Sequence, residues 1–201
     1  MVFPSLAQDT PEAEQKLPVR GSVVEDRAAR KLIDAGNLRY EAGEIEKAID
    51  IWNSVLERYP RSRVRFQAHL KLGEHFLNKQ RAFDRARSYF ESAAATDNPD
   101  AEQRAEATLM SGICFYEGRH YGKCFKIMRG VIGNFPSSGH VNQAHYYIGL
   151  GHFKLGHYSR AIESLEKVGT ALWSIVRQEC ALLLKRFHAS LSGTWRSRWS
   201  L

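Results

Sequence analysis

The chain has 201 residues, of which 43% are hydrophobic and 25% are charged. These fractions are typical of a folded globular protein and exclude a largely disordered chain. No apolar run approaches the roughly 20 residues that a membrane-spanning helix needs, which predicts that no segment crosses a membrane. The 29 basic and 22 acidic residues give a net charge of +7, and a charge of this size would also suit a nucleic-acid-binding protein.

The excess of positive charge is unevenly placed along the chain. Residues 1–26 contain two basic and five acidic residues, whereas residues 171–201 contain five basic residues and one acidic residue. Between these ends, acids and bases are interspersed, as in Glu44, Glu46 and Lys47. Interspersed charges are typical of solvated helix faces, while a nucleic-acid interface needs basic residues clustered on one face. We therefore predict that nucleic acid is not a partner.

Residues 1–22 are predicted to be a disordered leader, because residues 8–22 are polar and contain two prolines. Residues 4–8 resemble the end of a secretory signal peptide, with small residues before a cleavage position after Ala7. The basic part and most of the apolar part of such a peptide are missing. Two interpretations stay open: the remnant of a signal peptide on an exported, periplasmic protein, or a leader without a targeting role on a cytoplasmic one.

The central part of the chain repeats itself with a period of 37 to 39 residues. Small residues recur inside one set of predicted helices (Gly36, Gly73, Gly112, Gly149) and early in the helices that follow them (Ala48, Ala86, Cys124, Ala161). A large residue stands four positions after each member of the second set (Trp52, Phe90, Met128, Leu165). Three of the units end at a proline (Pro60, Pro99, Pro136). A fixed period of this length indicates an array of stacked helical hairpins.

The pattern predicts an all-α fold, an α-solenoid of four helical hairpins within residues 23–190. The hairpins are predicted at 23–42 with 45–58, 64–79 with 83–96, 100–117 with 121–134, and 138–155 with 158–169. A further helix over about 171–190 is predicted to cap the open apolar edge of the last hairpin. Residues 191–201 have no regular period and are predicted to be a disordered tail. Two other interpretations of this tail stay open: an aromatic and basic tag for a membrane or a partner, or the product of a truncated or frameshifted reading frame.

These residues resemble the tetratricopeptide repeat family over about residues 28–169. The first unit carries the family pattern in Tyr40-Glu-Ala-Gly43, Ala48-Ile49 and Trp52. Gly43 and Gly156 stand where the family's helices end with a positive φ. The third unit departs from the pattern by using Cys124 in place of alanine, and the second has an extra residue in its first turn.

Two units end in a Tyr/Phe-Pro-x-Ser sequence, at residues 59–62 and 135–138. This ending resembles the bacterial cell-envelope branch of the family, which includes BamD-like outer-membrane-assembly lipoproteins and periplasmic cell-division coordinators. The resemblance implies that Gly and Ala let the two helices of a hairpin approach closely. It also implies that the large residues fill the space toward the next hairpin.

The resemblance further implies that the first helix of each hairpin lines a concave groove that binds a peptide or helix of a partner protein. The groove positions are Ile33, Asn37, Tyr40, Leu70, Glu74, Leu77, Leu109, Ile113, Tyr116, Tyr146, Leu150 and Phe153. The alternative is that some of them pack on neighbouring first helices and do not reach solvent. A carboxylate-clamp subtype is not expected, because Ile33, Glu106 and Met110 stand where its cationic residues would be.

No catalytic, cofactor or metal site is predicted, and an enzymatic role is therefore not expected. The cysteines at 114, 124 and 180 lack the spacing of metal ligands, and the eight histidines include no His-Glu-x-x-His motif. Cys124 is expected to fill a small core site. Cys114 and Cys124 lie on facing helices of one hairpin and could pair if the protein is exported.

Two functional hypotheses follow. The first is a protein-interaction scaffold that binds its partner in the concave groove. The second is an accessory domain of a larger envelope or secretion machine, or of an enzyme, cut short in this reading frame. The sequence indicates neither the identity of the partner nor the oligomeric state.

Overall fold

A computed structural model describes residues 21–168, so the predicted capping helix and tail lie outside the described residues. Within that range the fold is all-α, with eight helices and no strand. The helices are α1 Val23–Glu41, α2 Ile45–Arg58, α3 Arg65–Asn78, α4 Phe83–Ala93, α5 Ala101–Glu117, α6 Tyr121–Asn134, α7 Val141–Lys154 and α8 Tyr158–Glu166. Every predicted helix of the four hairpins is present, and its ends agree with the prediction to within three residues.

The helices pack as successive hairpins that form a solenoid. Each odd-numbered helix packs on the helix that follows it, and each of α2, α4 and α6 also packs on the first helix of the next hairpin. Neighbouring first helices touch as well, α1 with α3 and α5 with α7. The hairpins therefore stack in chain order, and these two contacts lie within the layer of first helices.

The mid-helix glycine of each first helix lies against the large residue of its own hairpin. A β-carbon added at Gly36 would lie 2.4 Å from Nε1 of Trp52, and one added at Gly73 would lie 2.6 Å from the ring of Phe90. Gly112 with Met128 and Gly149 with Leu165 repeat the arrangement. The expectation that these large residues fill space toward the next hairpin is thus incomplete, since the missing β-carbon opens a place for them inside their own hairpin.

The turn inside each hairpin contains one residue with positive φ. Gly43 and Gly156 take this conformation in the first and fourth hairpins, with φ of 82° and 75°, which confirms the prediction for these two glycines. In the second and third hairpins the residue is an arginine, Arg81 with φ of 52° and Arg119 with φ of 61°. A left-handed conformation at a residue with a β-carbon costs on the order of 1 kcal/mol.

A carboxylate joins the start of one hairpin to the turn that precedes the next. Ser62 donates its hydroxyl hydrogen to Oδ1 of Asp26 at 2.6 Å, and the next backbone N–H donates to the same oxygen at 3.1 Å. Ser138 and the next backbone N–H donate in the same way to Oε1 of Glu102, at 3.0 and 3.1 Å. This contact gives a physical role to the serine that ends each Tyr/Phe-Pro-x-Ser sequence.

The middle boundary uses an asparagine in place of the serine. Asn98 is buried, and its Nδ2 donates to the Ala93 carbonyl at 2.9 Å and to Oε1 of Gln103 at 3.1 Å. Its Oδ1 accepts from the backbone N–H of Asp100 at 3.1 Å. The side chain thereby satisfies the end of α4 and the start of α5 together, as buried polar groups require.

Substitution of two helical glycines by alanine tests the packing of the hairpins. We expect Gly73→Ala to destabilise the protein by about 2 kcal/mol or more, because the new methyl group overlaps the rigid Phe90 ring. Gly130→Ala on α6 is the matched control, because nothing lies within 4 Å of its new β-carbon. Alanine there should stabilise the helix by about 0.5–1 kcal/mol. Urea unfolding measures both changes, and equal effects at the two sites would contradict the packing described.

Candidate protein-interaction groove

The twelve predicted groove residues divide into two groups by their exposure. Ile33, Leu70, Leu77 and Leu109 are buried, each with 6% or less of its surface exposed. They belong to the core beneath the layer of first helices, which is the alternative that the sequence left open for part of the set. The other eight are partly exposed: Asn37, Tyr40, Glu74, Ile113, Tyr116, Tyr146, Leu150 and Phe153.

Aromatic residues gather where α5 meets α7. The Tyr116 and Tyr147 ring centroids lie 5.3 Å apart at 71°, and those of Tyr146 and Tyr147 lie 5.6 Å apart at 74°. Tyr121 meets Tyr116 at 5.7 Å. Edge-to-face contacts of this kind are favourable and fix the orientation of the rings. Tyr121 and Tyr147 were not among the predicted groove residues.

The Tyr116 hydroxyl stays protonated in this cluster. Burial raises the pKa of Tyr116 to about 12, and the neighbouring Tyr121 and Glu117 act in the same direction. The hydroxyl group therefore remains a neutral donor and acceptor at physiological pH. The aromatic end of the groove thus offers half-buried rings together with uncharged polar groups.

A polar cleft of about 250 Å³ lies at the other end of the groove, between α1 and α3. Its walls are Asn37, Tyr40, Glu41, Trp52, Lys71, Glu74, His75 and Asn78. Three of the predicted groove residues, Asn37, Tyr40 and Glu74, come together here. Glu74 forms an ion pair with Lys71, with 3.0 Å between Nζ and Oε2.

Two nitrogen atoms in the walls of this cleft are buried without a hydrogen-bond partner among the described residues, Nε1 of Trp52 and Nδ1 of His75. The side-chain nitrogen of Gln80 lies 3.1 Å from Nε2 of His75, and an amide nitrogen can only donate. Burial, with the nearby Lys79 and Arg85, lowers the pKa of His75. Trp52 and His75 are only 2% and 3% exposed, so both nitrogen atoms lie inside the packed wall of the cleft and are not presented to a ligand.

Acidic groups surround the middle of the groove. Burial raises the pKa of Glu106 on α5, and the neighbouring Glu74 and Glu102 also raise it, while His140 and Lys71 lower it. The middle of the groove therefore contains acidic groups together with Lys71 and His140.

The described cysteine and histidine residues that were considered as metal ligands or nucleophiles do not come together in one site. Residues 21–168 contain no group of three or more His, Cys, Asp and Glu side chains placed to hold a metal ion. Cys114 and Cys124 are free and buried, and burial raises the pKa of each thiol to about 12. Protonated, buried thiols are poor nucleophiles. None of the described helices is long and apolar enough to cross a membrane.

Comparison with known proteins supports the class that this fold defines. Residues 33–102 match the family model of the tetratricopeptide repeat. No curated protein matches the chain. The solved structure "MamA RS-1 ArsTM double mutant" is similar, with 20% identity, 70% of this chain and 72% of that chain covered, and a TM-score of 0.55. At this identity the likeness concerns the fold alone.

A second solved structure is described as "YrrB: a TPR protein with an unusual peptide-binding site". It is 18% identical over 73% of this chain and 86% of that chain, with a TM-score of 0.33. This score is too low to carry an argument about the present chain. The family-model match, together with the solenoid and its repeat pattern, supports assignment to the tetratricopeptide repeat family.

The histidines of the solenoid predict how its stability responds to acid. Burial lowers the pKa of His69 on α3 from 6.5 to about 4, and Arg65 acts in the same direction. The folded protein therefore keeps His69 neutral, whereas the unfolded chain takes up a proton below about pH 6.5. The contribution to stability is fully present above pH 6.5 and is lost as the pH falls toward 4.

The free energy of unfolding falls as the pH is lowered from 7 to 4. We expect this fall to be smaller in His69→Gln than in the original protein, by up to about 3 kcal/mol. Urea unfolding at a series of pH values measures this change. His120→Gln, at an exposed histidine on the turn before α6, is the matched control. The interpretation would be wrong if both variants showed the same pH dependence as the original protein.

Proposed function

We propose that this chain is a protein-interaction scaffold that binds a peptide or a helix of a partner protein in its concave groove. The observation that carries the proposal is the cluster of partly exposed aromatic rings on α5 and α7, formed by Tyr116, Tyr146 and Tyr147. Leu150 and Phe153 extend the same helix surface. Ordered aromatic side chains that keep access to solvent are the residues that most often dominate binding energies at protein interfaces.

The two ends of the groove suit different parts of a ligand. The aromatic end suits apolar side chains, whereas the cleft between α1 and α3 offers the polar side chains of Asn37, Glu74 and Asn78. A peptide that used both ends would place apolar side chains at one end and polar side chains at the other. Such a division would also fix the direction in which the peptide binds.

The test is quantitative capture of partner proteins by the immobilised full chain and three variants. We expect Tyr116→Ala to weaken binding of each captured partner about tenfold or more, which is typical of an aromatic residue at the centre of an interface. Tyr116→Phe keeps the ring and should keep the binding. Leu38→Ala removes a side chain that is 66% exposed on α1 outside the predicted groove positions, so it should change nothing.

Circular dichroism ensures that a loss of binding is not a loss of folding, because all three variants should retain their helical signal. The groove proposal fails if Tyr116→Ala binds every captured partner as tightly as the original chain. It also fails if Leu38→Ala weakens the binding as much as Tyr116→Ala does.

We further propose that the chain acts in the bacterial cell envelope, on the support of the Tyr/Phe-Pro-x-Ser endings, and that it is exported, on the support of the signal-peptide-like residues 4–8. The genomic sequence upstream of Met1, in the same frame, is expected to encode the missing parts of a signal peptide. Expression from that upstream start, followed by cell fractionation, should place the protein in the periplasm. Recovery in the cytoplasm alone would contradict the export.

The alternative is an accessory domain of a larger envelope or secretion machine, or of an enzyme. It predicts that the genomic frame continues into a further domain. Sequencing of the genomic locus separates the two functions, and the capture experiment can then be repeated with the longer chain.

A further inference from the structure

Basic residues collect at one edge of the solenoid, where the two helices of the second, third and fourth hairpins join. We call residues 79–87, 117–126 and 154–160 the turn edge. It contains nine lysine and arginine residues and two acidic residues, whereas the rest of residues 21–168 contains 13 basic and 16 acidic ones. Basic and acidic residues are interspersed along the sequence. The repeat nevertheless brings basic residues together, because it places the turns of successive hairpins side by side.

Both acidic residues of the turn edge are already paired. Glu117 binds Arg81 at 3.2 Å across the second and third hairpins, and Asp84 lies 3.3 Å from Arg87. Seven cations remain without an ion-pair partner among the described residues, and all seven are exposed: Lys79, Arg85, Arg119, Lys123, Lys126, Lys154 and Arg160. The turn edge therefore carries a net positive field, whereas the neighbouring turn of the first hairpin is acidic, with Glu41, Glu44 and Glu46 against Lys47.

Aromatic rings hold several of these cations in place. The Arg85 guanidinium lies 3.9 Å from the ring centroid of Phe76. Arg87 and Lys123 lie 4.8 and 5.6 Å from the ring centroid of Phe115. Cation–π contacts restrict the long side chains before any partner binds, which reduces the entropy lost on binding.

Backbone conformation at the turn edge is also unusual. Arg81 and Arg119 have positive φ at the turn position where the first and fourth hairpins have Gly43 and Gly156. Glycine would adopt this conformation without cost. The strained backbone of Arg81 places its side chain in the ion pair with Glu117. Arg119 bears the same cost without an ion-pair partner among the described residues, so we look for its function in what its exposed charge binds.

We propose that the turn edge binds an acidic, extended segment of a partner protein. The cations follow one another along successive turns, which suits a single extended chain. Arg119, Lys123 and Leu155 line a shallow depression of about 360 Å³ between the third and fourth turns. Leu155 is 45% exposed, so the depression suits an acidic residue with an apolar neighbour.

The same observations disfavour the other two anionic partners. A single-stranded nucleic acid stacks successive bases on several exposed aromatic faces. At the turn edge Tyr158 is 39% exposed, but Arg85 and Arg87 lie over the rings of Phe76 and Phe115. A bilayer surface is attracted by a broad basic face with several apolar side chains to insert, rather than by a row of cations along an edge. We therefore take both as competing outcomes of the test.

The experiment measures fluorescence anisotropy of a short, labelled poly-L-glutamate peptide with the full chain. We expect Arg119→Glu/Lys123→Glu to weaken binding about tenfold or more, and added salt to weaken binding by the original chain. The matched control is Arg61→Glu/Arg63→Glu, which makes the same charge change at exposed residues of the opposite edge. It should weaken binding less than about twofold.

Arg119→Gly separates a binding role from a structural one. Glycine removes the backbone strain, so the melting temperature should stay the same or rise while binding of poly-L-glutamate weakens. A lower melting temperature with unchanged binding would assign Arg119 to folding and overturn the proposal. Tyr146→Ala, a groove variant at a residue that does not line the depression, should leave poly-L-glutamate binding unchanged, so failure at the turn edge can be told from failure at the groove.

Two further arms use oligothymidylate and phosphatidylcholine vesicles that contain phosphatidylserine. The proposal is overturned if either probe binds more tightly than poly-L-glutamate and depends on Arg119 and Lys123. It is also overturned if the control variant loses as much affinity as Arg119→Glu/Lys123→Glu, since the attraction would then follow net charge alone. Absence of poly-L-glutamate binding to the original chain would overturn it as well.

Discussion

The close approach of two helices at a glycine is the constraint on which this solenoid depends. At Gly36 there is no room for a β-carbon, because the indole of Trp52 occupies the place where it would be. Gly73 and Phe90 repeat the arrangement in the next hairpin. Because every hairpin is closed in the same way, its first helix falls on one layer and its turn on one edge. The groove and the turn edge both result from that repetition.

The hairpins are joined by polar contacts as well as by apolar packing. Asp26 and Glu102 each accept hydrogen bonds from a serine and a backbone N–H that lie a whole repeat further along the chain. A carboxylate that binds two donors of a turn fixes the position of that turn relative to the start of the preceding hairpin. Apolar packing therefore sets the distance between the helices, and these contacts fix where each new hairpin begins.

The repeat predicted most of this architecture and only part of the groove. Helix ends and the positive φ of Gly43 and Gly156 follow from local residue preferences, so they could be read from the sequence. The burial of Leu109 could not be predicted from the sequence. The same position of the repeat can hold either an exposed groove residue or a residue that packs beneath the first helices. The charge of the turn edge was missed for a related reason, since Lys79, Arg119 and Lys154 are far apart in the sequence.

The groove and the turn edge belong to the same solenoid, but their residues contribute to its folding to different degrees. Aromatic residues such as Tyr116 pack against neighbouring helices, so a groove residue serves folding and binding together. Arg119 instead occupies a backbone conformation that glycine would adopt at lower cost and has no ion-pair partner among the described residues, so folding alone does not account for it. A residue that opposes the local preference of its turn, while it adds charge to an already basic edge, is best explained by what that charge contacts. The turn edge can therefore be altered with less effect on the fold than the groove.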